Sequence, residues 1–164
     1  MATDASMIQP TPRRTRQKSP GPGIPSHALN DALIQYAEVD ITTAEVLLLN
    51  SVPITIVPTP GAGRVLEFVS AMITMDYAGT AYATNGDLVF TYTDESGTEV
   101  SDTVTFEELL ELTADTVKSV QALSLNFTAA ANAPLVISAS DGVPATGTSP
   151  IKVQMAYRVH NTGL

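Results

Sequence analysis

Residues 151–160 alternate between apolar and polar side chains with a period of two. The apolar set is Ile151, Val153, Met155, Tyr157 and Val159, and the opposite set is Lys152, Gln154, Ala156, Arg158 and His160. A period of two places successive side chains on opposite faces of a β-strand, whereas an amphipathic helix repeats every 3.6 residues. We therefore predict a strand that closes the sheet, with one face in a core and the other in solvent.

Other segments show the same pattern at short intervals separated by turn residues. Leu88, Phe90 and Tyr92 alternate with Asp87, Thr91 and Thr93, directly after Asn85-Gly86, which predicts a tight hairpin. Further strands are predicted near 99–104, at Leu123, Leu125 and Phe127, and over 135–139. Six to eight short strands with no long helix between them predict a mostly β single domain, either jelly-roll-like or a β-sandwich, and not a parallel α/β sheet.

Two short helices are predicted beside these strands. Thr42 precedes Glu45 by three residues, and Thr105 precedes Glu108 by the same spacing. This is the capping box, in which a hydroxyl and a carboxylate satisfy the free amides at a helix start.

The segment 64–76 is apolar on both sides of its predicted strand. Val65, Val69, Ile73 and Met75 form one set, and Leu66, Phe68 and Met72 form the other. A strand of this kind is expected to be covered on both faces, either by a helix or by another subunit. Leu66, Phe68 and Met72 are therefore a candidate subunit interface.

The charges divide the chain into an arm, residues 1–30, and a body, residues 31–164. The arm carries four basic residues against one acid and the body four against sixteen, so their formal charges are +3 and −12. Five of the eleven prolines lie in the first 25 positions, which predicts an extended conformation. The arm is either a leader without a role or a strap that binds a neighbouring subunit through Arg13, Arg14, Arg16 and Lys18. Because the body is acidic, we expect it not to bind nucleic acid.

Other compositional features exclude several classes of protein. The chain has no cysteine, so it contains neither a disulfide framework nor a thiolate metal site. Its longest apolar stretch, 65–75, is interrupted by Glu67, Ser70 and Thr74. We therefore expect a soluble protein with no membrane association.

Few residues suggest catalysis or metal binding. The two histidines, His27 and His160, lie near the two ends of the chain, and a solvated helix face accounts for Glu107, Glu108 and Glu111. Asp94, Glu95, Glu99 and Asp102 lack the regular spacing of a calcium loop. Gly61-Ala62-Gly63 lacks the lysine of a phosphate loop, and Tyr77, Tyr82 and Tyr92 fit packing better than a sugar site. We predict no catalytic residue, cofactor or metal, and hence no enzyme.

Residues 41–93 contain a recognisable order of elements. A helical turn is followed by Leu49-Asn50-Ser51-Val52-Pro53, a strand, Pro58-Thr59-Pro60-Gly61-Ala62-Gly63 and a second strand. Asp76-Tyr77-Ala78-Gly79, Tyr82 and the run Leu88-Val89-Phe90-Thr91-Tyr92 continue the pattern. The segment resembles small structural proteins of tailed bacteriophages and prophages.

This resemblance implies a capsid decoration, or cement, protein. Such a protein forms a jelly-roll-like trimer on the outer surface of the phage head, assembled in the host cytoplasm, and stabilises the shell by bridging major capsid subunits. The arm would then act as the strap. The alternative is a receptor- or carbohydrate-binding module of a phage fibre or tail, for which the chain has few aromatic residues. A cupin-like enzyme would need a cluster of histidine and carboxylate ligands that the sequence does not supply.

Overall fold

Two antiparallel β-sheets pack around a shared hydrophobic core in the computed structural model, which describes residues 33–83, 86–124, 128–140 and 142–163. Sheet A contains, in spatial order, β1 (Gln35–Ile41), β7 (Ile151–Asn161), β3 (Arg64–Met75) and β5 (Thr116–Gln121). Sheet B contains β2 (Ile54–Val57), β6 (Leu135–Ser140) and β4 (Asp87–Tyr92). The helices are α1 (Thr43–Val46) and one 3₁₀ turn (Phe106–Glu108). The prediction of a mostly β single domain is confirmed.

Strand β7 lies in the middle of sheet A, paired with β1 on one side and β3 on the other. Ile151, Val153 and Met155 are at most 2% exposed, whereas the lysine and glutamine between them face outward. The alternation along 151–160 therefore predicted both the strand and its buried face correctly.

A β-bulge in β3 changes which side chains share a face. The pairing with β7 shifts by one residue between Phe68 and Ser70. As a result Leu66, Phe68 and Ile73 all point into the core and are at most 2% exposed. Met72 points outward and is 43% exposed. The prediction that Leu66, Phe68 and Met72 form one interface face is wrong, because a bulge reverses the alternation of a strand.

The strands that are buried on both faces are instead β4 and β6. Leu88, Phe90 and Tyr92 belong to the core, as their alternation predicts. Thr91 was predicted on a polar face, but it is 1% exposed. The hairpin predicted at Asn85-Gly86 does not join β3 and β4, because these two strands belong to different sheets, and Asn85 itself lies outside the described residues.

Residues 99–104 connect the two sheets along one side of the core. They pair with β4 through the bridges Thr91 to Glu99 and Leu88 to Val104. On their other side they meet the end of β5 through the bridge Ser101 to Ala122. The short strand predicted near 99–104 is therefore present as a bridged segment. The strand predicted at Leu123, Leu125 and Phe127 is not found among the described residues, since β5 ends at Gln121 and 125–127 lie outside them.

The two predicted helix starts differ. Thr42 and Glu45 form the predicted capping box, with the Thr42 amide donating to Glu45 Oε2 over 2.8 Å. Thr105 makes no side-chain cap, so the second capping box is wrong. Glu108 instead binds Lys118 of β5, with 2.8 Å between the carboxylate and the ammonium.

The motif residues of segment 41–63 have structural roles. Leu49 O accepts a hydrogen bond from the amide of Ala139 in β6, and the Asn50 side chain donates to Ala139 O. Gly61 has a φ of 97° and Gly63 a φ of 71°, values that favour glycine at the turn between β2 and β3. The order of helical turn, strand, glycine turn and strand is the one observed.

Candidate partner-binding surface

The outer face of sheet A is the surface of the sheet that points away from the core. Because β1, β3, β5 and β7 pair in register, their outward side chains form rows across the sheet. One row is Tyr36, Ala156 and Ser70, the next is Glu38, Gln154, Met72 and Ser119, and a third is Asp40, Lys152, Thr74 and Val117. The surface combines ion pairs with exposed apolar groups, and it is the candidate partner-binding surface.

One ion-pair network lies at the β1 side of this face. Glu38 accepts hydrogen bonds from Lys152 Nζ at 2.9 Å and from the Gln154 side chain at 2.7 Å. Lys152 also approaches the carboxylate of Asp40, at 3.2 Å. The hydrogen bond from Lys152 lowers the pKa of Glu38, and the same bond with that to Asp40 raises the pKa of Lys152. All three side chains remain accessible, so the network is a charged surface and not part of the core.

A second cluster lies where β3 pairs with the last residues of β7. The carboxylate of Glu67 is 2.7 Å from His160 Nε2 and 3.2 Å from a guanidinium nitrogen of Arg158. Partial burial opposes ionisation of Glu67, but the hydrogen bonds from His160 and Arg158 outweigh it, so the pKa of Glu67 is lowered. His160, predicted to be an outward strand residue, does face outward and contacts the Glu67 carboxylate on this face.

A groove of about 400 Å³ crosses the outer face between β1 and β3. Tyr36, 79% exposed, stands on one side and Met72 on the other. Between them lie the small side chains of Ala156 and Ser70, which leave the hollow open. Glu38 also lines the groove and brings a carboxylate to its edge.

The other candidate residues from the sequence do not meet in one site. Asp94, Glu95, Glu99 and Asp102 are all exposed, and Asp94 accepts a hydrogen bond from the Ser96 amide within its own turn. Gly61 donates to the Asn132 side chain, which makes it a turn residue. In the part of the chain that the structure describes, no group of three or more histidine, cysteine or acidic residues is placed to hold a metal ion. No helix in that part is long and apolar enough to cross a bilayer.

Two of the candidate tyrosines are core residues. Tyr82 is 2% exposed and donates from its hydroxyl to Ser149 O over 2.6 Å, and Tyr92 donates to Leu66 O. Neither ring is available to stack on a sugar. Only Tyr77 of the three is partly exposed.

Two parts of this surface were not predicted from the sequence. Glu67 and Arg158 are 91 positions apart and meet only because β3 pairs with β7. Strand β1 was not predicted, although Ala37, Val39 and Ile41 alternate with polar residues and would have indicated it. The proposed strap residues Arg13, Arg14, Arg16 and Lys18, as well as His27, lie outside the described residues.

No protein-family model matches the chain, and no curated protein shows significant similarity to it.

Proposed function

We propose that this chain is a structural protein of a phage virion, a non-catalytic decoration protein that binds the outer surface of the head and bridges major capsid subunits. The observation that carries the proposal is the order of the strands. If residues 99–104 count as the fifth strand, β5, β6 and β7 become the sixth, seventh and eighth. Sheet A then has the order 1-8-3-6 and sheet B the order 2-7-4-5.

This order supports a jelly-roll fold. Each sheet takes alternate strands from the two halves of the chain, and every paired neighbour is antiparallel, as two interleaved Greek keys require. The jelly roll occurs in viral capsid proteins, among others, and a fold alone does not define a function. The resemblance of residues 41–93 to phage structural proteins supplies the second support, since its turns have the structural roles described above.

The charge distribution is compatible with a strap. The described residues carry fourteen acids against four basic residues, a formal charge of −10. Three of the four cations, Lys118, Lys152 and Arg158, are already in ion pairs. An arm of charge +3 is therefore attracted to the body of a neighbouring copy, and several weak contacts on one shell add through linked binding.

The test is binding to empty shells of the phage or prophage that encodes the chain. Light scattering of the purified protein is expected to give the mass of a trimer, and the trimer is expected to sediment with the shells. Decorated shells should resist heating better than bare ones. A monomer that does not sediment with shells but binds tails or immobilised glycans would contradict the proposal and favour a receptor-binding module.

A further inference from the structure

The groove between Tyr36 and Met72 has the features of a site for an extended peptide. Its central row is Tyr36, Ala156 and Ser70, which lie side by side on three neighbouring strands. Two small residues separate two large apolar ones, so a hollow of about 400 Å³ runs over the sheet. Tyr36 is 79% exposed and its ring is free to stack against a second chain.

The edge of the groove is acidic. Glu38 lines it directly, and Asp40 follows two residues later on the same face of β1, with its side chain 77% exposed. Both carboxylates share one cation, Lys152, at 2.9 and 3.2 Å. Two negative charges against one positive charge leave a site that attracts basic groups.

We infer that this groove binds residues 10–25 of a second copy of the chain. That segment carries five prolines, four basic residues and the spacing Pro22-Gly23-Ile24-Pro25. Proline-rich peptides with the Pro-x-x-Pro spacing bind aromatic-lined grooves in an extended conformation that costs little entropy. The exposed ring of Tyr36 can pack against the prolines. The carboxylates of Glu38 and Asp40 can attract the arginines.

The position of the segment favours a second copy over the same chain. Leu33 and Ile34 are exposed and lead directly into Gln35, so the chain enters sheet A beside its own groove. Gln35 follows Pro25 by ten positions, a distance of at most about 35 Å. To bind its own groove the segment would have to reverse direction within residues 26–34, whereas binding to a neighbour's groove requires no reversal. Repetition of this contact joins copies head to tail, which gives a ring such as a trimer where the rotation between copies closes.

This inference rests on the proposed function, since it names the surface that receives the strap. It is tested without shells, by photocrosslinking of the full chain. A photoreactive benzoylphenylalanine replaces Tyr36, and in the control it replaces Val143, which is 62% exposed and lies outside the groove. We expect the Tyr36 variant to give a product of twice the monomer mass, joined to peptides from residues 1–32, and the control to give none.

Three outcomes would overturn the inference. Cross-links to residues 33–163 of another copy would show that a second body covers the face. Cross-links from position 36 to residues 1–32 in a product of monomer mass would show that the segment binds its own groove. The absence of any cross-linked peptide would show that nothing binds there.

Charge reversal provides a second measurement. Arg13→Glu combined with Arg14→Glu is expected to lower the cross-linking yield by about threefold or more, and an unchanged yield would contradict the role of the acidic edge. Cross-linking without binding to shells would refute the proposed function alone. Binding to shells without cross-linking would refute this inference alone.

Discussion

The hydroxyl of Tyr92 in sheet B donates a hydrogen bond to the carbonyl oxygen of Leu66 in sheet A. Both residues are at most 1% exposed, so the bond crosses the core and holds the two sheets together. It also accounts for a buried tyrosine hydroxyl, which would be costly without a partner.

Replacement of this hydroxyl tests its contribution to stability. Tyr92→Phe leaves the ring in place but removes the donor, so Leu66 O loses its side-chain partner. We expect the free energy of unfolding at pH 7 to fall by about 1–2 kcal/mol. Urea denaturation measures it, and no change would show that the bond between the sheets contributes nothing.

Alkaline pH should weaken the fold through the same residue. Burial, with a further contribution from the charge of Glu67, raises the pKa of Tyr92 to about 12. An unfolded tyrosine titrates near 10, so the folded state holds the proton more tightly. The contribution is present below pH 10 and is lost as the pH rises through 12. The stability difference between the native chain and Tyr92→Phe should shrink by about 1 kcal/mol between pH 8 and pH 11, and a constant difference would contradict this account.

Acidic pH should act through Glu67. Its pKa is lowered by His160 and Arg158, which outweigh the opposing effect of burial. A lowered pKa contributes stability above the unfolded value of 4.5, and this stability is lost as the pH falls through the folded value. Glu67→Gln should therefore be less stable than the native chain at pH 6, by less than about 1 kcal/mol because the group is 40% exposed, and this difference should shrink as the pH falls below 4.5.

A matched control for that prediction is Glu95→Gln. Glu95 is an exposed carboxylate in the turn after β4 and makes no salt bridge with another described residue. In thermal unfolding from pH 3 to pH 7, the stability difference between Glu95→Gln and the native chain should be the same at every pH. A difference for Glu67→Gln that does not depend on pH would refute the role of the ion pair.

Gly147 packs against the face of a core ring. A Cβ atom at this position would lie 2.1 Å from the nearest ring carbon of Tyr82. The ring is held by its hydrogen bond to Ser149 O and has little freedom to move. Gly147→Ala should therefore cost about 1–3 kcal/mol, the usual range for overpacking, whereas Gly79→Ala meets no atom within 4 Å and strains only its backbone. Equal stability of Gly147→Ala and the native chain in calorimetry would contradict the close packing.

Removal of residues 1–30 tests the strap. The body retains every described strand and its core, so we expect circular dichroism of the truncated chain to remain that of a folded β protein. Binding to empty shells should weaken, and the binding of the full chain should weaken with salt. Undiminished occupancy of the truncated chain on shells would exclude a role for the arm.

The sequence predicts strands well where one face is polar. Strand β7 alternates between charged and apolar residues, so both its conformation and its buried face follow from the pattern. Strand β3 is apolar on both sides, and nothing in its residues indicates the bulge at 69 that reverses its faces. Strand β5 was not predicted because its residues do not alternate between apolar and polar. Of its two valines, Val120 is buried, whereas Val117 is 57% exposed.

The candidate surface depends on pairing over long distances in the chain. Local signals such as the Thr42 capping box act over three residues, and this one was predicted correctly. Glu67 pairs with Arg158 over 91 positions, and in the groove Ala156 lies beside Tyr36 over 120 positions and beside Ser70 over 86, contacts that only the sheet register creates. Alternation within a regular strand indicates which residues face outward, but it does not determine which strand lies beside it.

The most direct measurement is electron cryomicroscopy of empty shells incubated with the full chain. The proposed function predicts extra density on the outer surface, where major capsid subunits meet, into which three copies of the two-sheet body fit. Bare shells, or density confined to the tail, would contradict it.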